Sequence, residues 1–324
     1  MDKLIEIKGL SKEFPVKKGF FNRKVGAIYA VNNVSFDIYT GETLGLVGES
    51  GCGKSTIGRC ILGLTPITKG NIKIGNINIT DKNSKIPNSL RKKMQIIFQN
   101  PYSSLNPRMT IEESLKEPLI IHKAVSKKQL NPRIYELLDM VGLSSDVLNR
   151  YPHEFSGGQK QRIVIARALA LNPDFIIADE PVSALDVSIQ AQIINLLEDL
   201  KKRLGLTYLF ISHDLSIVRY VSNRVAVMYL GEIVELASVE FLYSNPLHPY
   251  TKALLSSIPI ANPNIDISKK ILIKGDPPSP ANLPGGCKFH TRCGHTMDIC
   301  RIKAPKQIMV REGHFVSCHL IKNS

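Results

Sequence analysis

Residues 43–56 read Thr-Leu-Gly-Leu-Val-Gly-Glu-Ser-Gly-Cys-Gly-Lys-Ser-Thr, a short apolar run, a glycine-rich turn and the start of a helix-forming stretch. This order fits the pattern G-x-x-x-x-G-K-[ST] in the setting that gives the pattern meaning, a buried strand before it and a helix after it. Gly48, Gly51 and Gly53 free the backbone to close into a concave loop whose N–H groups face an anion. The positive end of the helix beginning near Lys54 reinforces that field. Lys54 is placed to reach the β- and γ-phosphates of a nucleotide, and the Ser55 hydroxyl to ligate Mg²⁺, which takes hard oxygen donors. Glu49, Ser50, Cys52 and Thr56 complete the candidate nucleotide-binding stretch.

Further along, Phe175-Ile176-Ile177-Ala178 reads as a buried strand that delivers two carboxylates, Asp179 and Glu180, at its C-terminal end, where open α/β sheets place their ligands. Asp179 is the candidate Mg²⁺ partner, through water. Glu180 faces the other side of the strand and is the candidate proton acceptor for an attacking water. Between these stretches, Ser156-Gly157-Gly158-Gln159 reads as a helix N-terminus capped by Ser156, with two glycines exposing backbone N–H groups.

The rest of the chain sets these stretches in an α/β frame. Residues 4–9 and 28–39 alternate apolar and polar side chains, as half-buried strands of an antiparallel edge sheet do, and 15–26 reads as an inserted loop. Strands are expected at 43–47, 71–79, 94–98, 174–178 and 207–211. Helices are expected at 54–63, 159–171 and 188–204, with a mostly helical stretch over 110–150. The pattern predicts a parallel sheet with covering helices, interrupted by a helical subdomain at about 100–170. After about 255 the character changes: Pro and Gly cluster over 259–286, and residues 256–324 are expected as a small, loop-rich appended domain.

Composition narrows the class. The N-terminus lacks the basic-then-apolar run of a signal peptide, and the longest apolar stretch, Ile163–Leu171, is broken by Arg167, so a soluble, cytosolic chain is expected. The formal net charge of +14 permits anionic partners, but the lysines are scattered without the interleaved aromatics of a nucleic-acid stacking surface, and no nucleic-acid partner is expected. Six cysteines in such a chain favour metal or redox chemistry over disulfides. Cys60, and Cys52 as a thiol, read as bystanders. Cys287, Cys293, Cys300 and Cys318 could ligate Zn²⁺ or an iron–sulfur cluster, and spacing does not separate the two.

Taken together, these motifs resemble the ATP-binding cassette (ABC) ATPases, with Phe155 where the signature has Leu. The resemblance implies a P-loop NTPase fold of the ABC type: a RecA-like parallel sheet, an antiparallel edge sheet and a helical subdomain, spanning 1–255. It implies that ATP lies between two subunits, so that Ser156, Gly157, Gly158 and Gln159 act on the partner's nucleotide. Gln99 resembles the residue that contacts Mg²⁺ and relays to the membrane partner. Ser183-Ala184-Leu185-Asp186 resembles the dimer-contact loop, and His213 the switch histidine that senses the γ-phosphate. For the aromatic that stacks on adenine the first choice is Phe14 and the second Tyr29.

The segment 245–255, beginning Asn245-Pro246-Leu247-His248-Pro249-Tyr250-Thr251, resembles the His-Pro-Tyr-Thr segment of oligopeptide, dipeptide and nickel importer ATPases. The run 181–192 and Pro278-Ser279-Pro280-Ala281-Asn282 resemble the second ATPase of a heterodimeric peptide permease, and the resemblance covers nearly the whole chain. Two transmembrane permeases, a sibling ATPase and an extracytoplasmic peptide-binding protein are the implied partners, and the cytoplasmic face of the membrane the implied location. That subfamily carries a [4Fe-4S] site at its C-terminus, and Gly286-Cys287-Lys288-Phe289 and Arg292-Cys293 match its flanks; Zn²⁺ and unligated core or surface thiols are the alternatives. His290, His295, His314 and His319 are expected to support the site or lie at the surface. Nickel import by a related ATPase, and a soluble cassette protein acting on nucleic acid or ribosomes, are the other readings.

Overall fold

The alternating side chains of the first forty residues form two long antiparallel strands, β1 (Lys3–Lys18) and β2 (Arg23–Tyr39), which bury Ile5, Ile7 and Leu10 from one and Val31, Val34, Phe36 and Ile38 from the other. The structure is a computed structural model that describes residues 2–18, 23–80, 86–258, 271, 273 and 275–321. Residues 15–18 and 23–26, within the stretch 15–26 expected as a loop, prolong the paired strands instead, with Pro15 opposite Ala27 and Val16 opposite Gly26. Beyond Ser11, among the described residues, β1 is paired on one side only, the place where a ladder tolerates a proline. Residues 19–22 lie outside the described residues, as do Pro259 and Pro263 of the later Pro/Gly cluster.

The chain divides into two units, the first made of 1–39, 44–84 and 212–324, the second of 40–43 and 85–211. In the first, β3 (Thr43–Val47) leads into α1 (Lys54–Ile61), and β4 (Lys69–Ile74) and β5 (Ile77–Asn78) join the hairpin in the antiparallel order β2-β1-β4-β5. The second unit holds α2 (Asn88–Lys93), β6 (Met94–Ile97), α3 (Pro101–Ser104), α4 (Ile111–Ile121), α5 (Leu130–Met140), α6 (Gly157–Leu169), β7 (Phe175–Asp179), α7 (Val187–Leu204) and β8 (Thr207–Ser212). Its strands are parallel, β6 to β7 and β7 to β8, and every residue of β7 is buried, as a strand covered on both faces requires. The helical region begins as the sequence suggests: Thr110 caps α4 by accepting from the Glu113 N–H while Glu113 returns a bond to the Thr110 N–H.

The chain then re-enters the first unit through α8 (Leu215–Val221), β9 (Arg224–Tyr229), β10 (Glu232–Ser238), α9 (Val239–Ser244), α10 (Pro249–Ser256), α11 (Asp298–Ile302), β11 (Ile308–Arg311) and β12 (His314–Val316). β9 runs parallel to β3, β10 returns antiparallel to β9, and β12 pairs with β10, Glu235 opposite Val316. Residues 256–324, expected as an appended domain, thus contribute strands to the first unit's own sheet.

A buried carboxylate organises this region. Glu235, with no solvent exposure, accepts the Leu247 N–H at 2.8 Å and the His248 N–H at 2.9 Å, and its Oε1 lies 2.8 Å from His314 Nε2. Burial alone would raise its pKa, but these partners outweigh burial and hold it below the ordinary carboxylate value. His314, expected near the cysteines as a supporting or surface residue, is fully buried in this pair. His248 in turn accepts the Tyr250 N–H on Nδ1 at 3.0 Å, which caps α10.

Burial lowers the His248 pKa from 6.5 to about 4, Glu235 offsetting part of that. A depressed folded-state value means that the unfolded chain binds the proton first. The stability associated with neutral His248, about 3 kcal/mol, is therefore complete above about pH 6.5 and lost as pH falls towards about 4. Glu235 loses its own contribution at lower pH still. His248→Asn keeps an acceptor for the Tyr250 N–H but cannot titrate. Its unfolding midpoint is expected to fall less than the parent's across that window in a thermal melt series.

Candidate functional site

In the glycine-rich loop two close approaches leave no room for a side chain. A Cβ on Gly48 would stand 2.1 Å from the Met228 carbonyl oxygen, and one on Gly53 2.0 Å from that of Ala30. Both glycines have positive φ, +151° and +107°. The turn between β9 and β10 closes the brace, Gly231 donating its N–H to the Cys52 carbonyl at 3.0 Å. Lys54, almost wholly buried, lies along the loop and donates to the carbonyls of Gly48 and Glu49 at 2.8 and 3.0 Å. Ser55 and Thr56 follow in the first turn of α1, both partly exposed.

Glu49 is held more firmly than its place in a variable position of the pattern suggests. Its N–H donates to the buried Tyr250 hydroxyl at 3.1 Å, and both carboxylate oxygens accept from Arg292 Nη1, at 3.0 and 2.9 Å. Neither Tyr250 nor Arg292 carried a nucleotide-site role in the sequence reading. Arg292 lies 243 residues from Glu49, and nothing local in the sequence signals the pairing.

The two candidate adenine-stacking aromatics lie on neighbouring strands, Glu13 opposite Tyr29 and Phe14 opposite Ile28, and both are partly exposed. Tyr29 has the stronger tie to the loop: it precedes Ala30, whose carbonyl abuts Gly53, and its N–H donates to the Pro280 carbonyl at 3.3 Å. Phe14 carries the Lys12 ammonium 4.7 Å from its ring centre.

In the second unit, Asp179 is buried at the end of β7 and Glu180 follows in the left-handed region, φ +49°, a strained conformation for a residue with a side chain. Its N–H donates to the Ile211 carbonyl at 2.9 Å, Ser183 closes the turn behind it, and Gln99 Nε2 donates to its carboxylate at 2.9 Å. Gln99 and Glu180, nominated separately in the sequence, thus meet directly. His213 is exposed in the first unit, followed by Asp214, which caps α8 by accepting from the Ser216 and Ile217 N–H groups.

Ser156 caps α6 as expected, exchanging bonds with Gln159 in a capping box. Phe155 is buried, keeping the apolar bulk of the Leu it replaces. The two glycines after the cap have a packing role: a Cβ on Gly157 would meet Leu185 Cδ2 at 3.1 Å, and one on Gly158 would meet Ile189 Cγ2 at 2.6 Å. The signature turn therefore rests on the 183–186 loop and the first turn of α7, whose Ser183, Ala184 and Asp186 are exposed.

Cys287, Cys293, Cys300 and Cys318 converge in the first unit. Cys287 and Cys300 are tied by a backbone bond of 2.8 Å, and Gly286, φ +61°, passes where a Cβ would stand 2.3 Å from the Cys300 carbonyl. Burial pushes the Cys287 thiol up to about 11, and the other three thiols add to the shift. Yet among the described residues no group of three or more His, Cys, Asp or Glu side chains is arranged to hold a metal ion. The donor chemistry suits a soft metal; this arrangement does not close into a ligand set.

A family model described as "ABC transporter" matches residues 31–183, and one described as "oligopeptide/dipeptide transporter, C-terminal region" matches residues 234–300. The oligopeptide transport ATP-binding protein AppF of Bacillus subtilis (strain 168) is 53% identical over 319 residues, 98% of this chain and 97% of that protein. The chain belongs to the ABC transporter ATPases. OppF of the same organism, also an oligopeptide transport ATP-binding protein, is 51% identical over 319 residues, 98% of this chain and 96% of that protein. The ATP-binding cassette MJ0796, solved as a dimer in a post-hydrolysis state bound to ADP and Pi, superposes with a TM-score of 0.63 at 33% identity, covering 72% of this chain and 98% of that one. As an ABC ATPase the chain hydrolyses ATP. Among the described residues no helix is long and apolar enough to cross a membrane.

The loop geometry separates its glycines. Gly51, φ +78° with nothing within 4 Å of a built Cβ, is expected to lose about 1–2 kcal/mol on substitution by Ala. Gly53→Ala adds a backbone collision to the same penalty, and urea unfolding is expected to show a clearly larger loss.

Proposed function

We propose that this chain is the ATP-hydrolysing subunit of a peptide importer, working at the cytoplasmic face of the membrane against two permeases, with a sibling ATPase and an extracytoplasmic peptide-binding protein. The cargo class rests on one observation: the oligopeptide/dipeptide C-terminal region is present in a chain matched over nearly its full length by AppF and OppF. Nickel, the alternative cargo in the same family, has no such support.

In this reading the 48–56 loop receives the phosphates of ATP, with Lys54 exchanging its carbonyl partners for phosphate oxygens, and Tyr29 rather than Phe14 stacks on adenine. The Ser55 hydroxyl, the buried Asp179 carboxylate and the Gln99 side chain are oxygen donors of the kind that suits Mg²⁺ and would hold it; the ion would supply charge neutralisation to the transferred phosphoryl group. Glu180, oriented by Gln99, accepts the proton of the attacking water, and His213 senses the γ-phosphate. The Ser156 turn, through Gly157, Gly158 and Gln159, completes the sibling's site, with Ser183, Ala184, Leu185 and Asp186 beside it at the dimer contact. For the cysteines the proposal is narrower: four converging thiols, with no metal assigned.

Glu180→Gln is expected to bind MgATP like the parent while turnover in the assembled transporter falls by about 10²-fold or more. Oligopeptide uptake should vanish with it; parental ATPase rates in that variant would overturn the role of Glu180. Lys54→Ala is expected to weaken MgATP binding itself, measured by calorimetry on the full chain.

A further inference from the structure

We propose that Arg292, from the cysteine-bearing segment, is a positioning residue for the nucleotide loop: it fastens Glu49 and cancels its negative charge where phosphates are received. The inference rests on the nucleotide-loop reading above. Three observations carry it. First, the contact is directed, one guanidinium nitrogen bonding both Glu49 oxygens at 2.9 and 3.0 Å with the Arg292 side chain 8% exposed. In that partly desolvated setting the pair is worth more than a surface ion pair.

Second, the arginine is aimed by its surroundings. Its Nε donates to the Gly275 carbonyl at 3.1 Å, its Nη1 lies 3.4 Å from the Tyr229 hydroxyl, and its guanidinium stands 5.9 Å from the Tyr229 ring centre. Three residues earlier, Phe289 packs against Tyr229, Tyr250 and His248, with ring centres 5.2, 5.3 and 5.7 Å away, and the Arg292 N–H donates to the Phe289 carbonyl. Third, Glu49 is the one carboxylate in the stretch 48–56, so its charge is the one that stands against a triphosphate there. Unpaired, it would repel the ligand; paired, it serves as a handle.

This arrangement makes a signed prediction. Arg292→Met leaves Glu49 uncompensated and is expected to weaken MgATP binding to the full chain on the order of tenfold. In the assembled transporter the loss should appear in KM for MgATP, with kcat little changed. Glu49→Gln removes the opposing charge and leaves the arginine in place, so MgATP binding is expected to be tighter than the parent's. The double variant should recover most of what Arg292→Met loses, and Arg292→Lys part of it. A merely structural pair would make both single variants equally harmful, and that result overturns the proposal, as does parental binding by Arg292→Met. If Arg292→Met does not fold, Glu49→Gln and Arg292→Lys still decide: binding by Glu49→Gln that is no tighter than the parent's overturns it. Failure of the parent chain to bind MgATP would instead remove the nucleotide-loop reading itself.

Discussion

A carboxylate shut away from water persists only where protein groups replace the bonds that water would have made, and Glu235 is held on those terms. By taking the N–H groups of Leu247 and His248 it fixes the entry into α10, and through His314 it fixes β12 beside β10. That entry sets where Tyr250 stands, and the Tyr250 hydroxyl meets the backbone of the nucleotide loop. A single buried charge in β10 is thus linked, through the entry to α10, to a backbone N–H of a loop nearly two hundred residues earlier, beside an aromatic cluster of His248, Tyr229 and Phe289.

The loop itself was legible because its chemistry is local: strand, glycines, lysine and hydroxyl follow one another, and each has a backbone reason visible in the spacing. The Ser156 cap was legible for the same reason, since a capping box spans only four residues. The strand ends at 15–18 and 23–26 were not. Their Pro, Gly and Lys content imitates a loop, whereas pairing with a single neighbour lets such residues sit in a ladder. The C-terminal strands were missed because β11 and β12 are short, and their pairing is set by Glu235 and His314, 79 residues apart. For the four cysteines a shared metal site was implied by resemblance and not by spacing, and ligand geometry depends on backbone turns that spacing does not encode.

Strain and support are paired at the carboxylate expected to handle water. Glu180 occupies a backbone region that costs about 1–3 kcal/mol for a residue with a side chain, and persists because its own N–H, Gln99 and Ser183 all hold it there. The reward is a fixed direction for the carboxylate, which a relaxed strand end would leave to rotate.

The approach of Gly158 to Ile189 bears on how this protein can change over time. With a Cβ-equivalent distance of 2.6 Å to the isoleucine methyl, the helix capped by Ser156 and the helix after the 183–186 loop share one boundary. An innovation on either side is admissible only with a matching reduction on the other, so the two segments are free to drift as a linked pair and not as separate parts. A chimera that takes one helix from a relative and the other from this chain inherits a mismatch at that boundary unless both residues travel together.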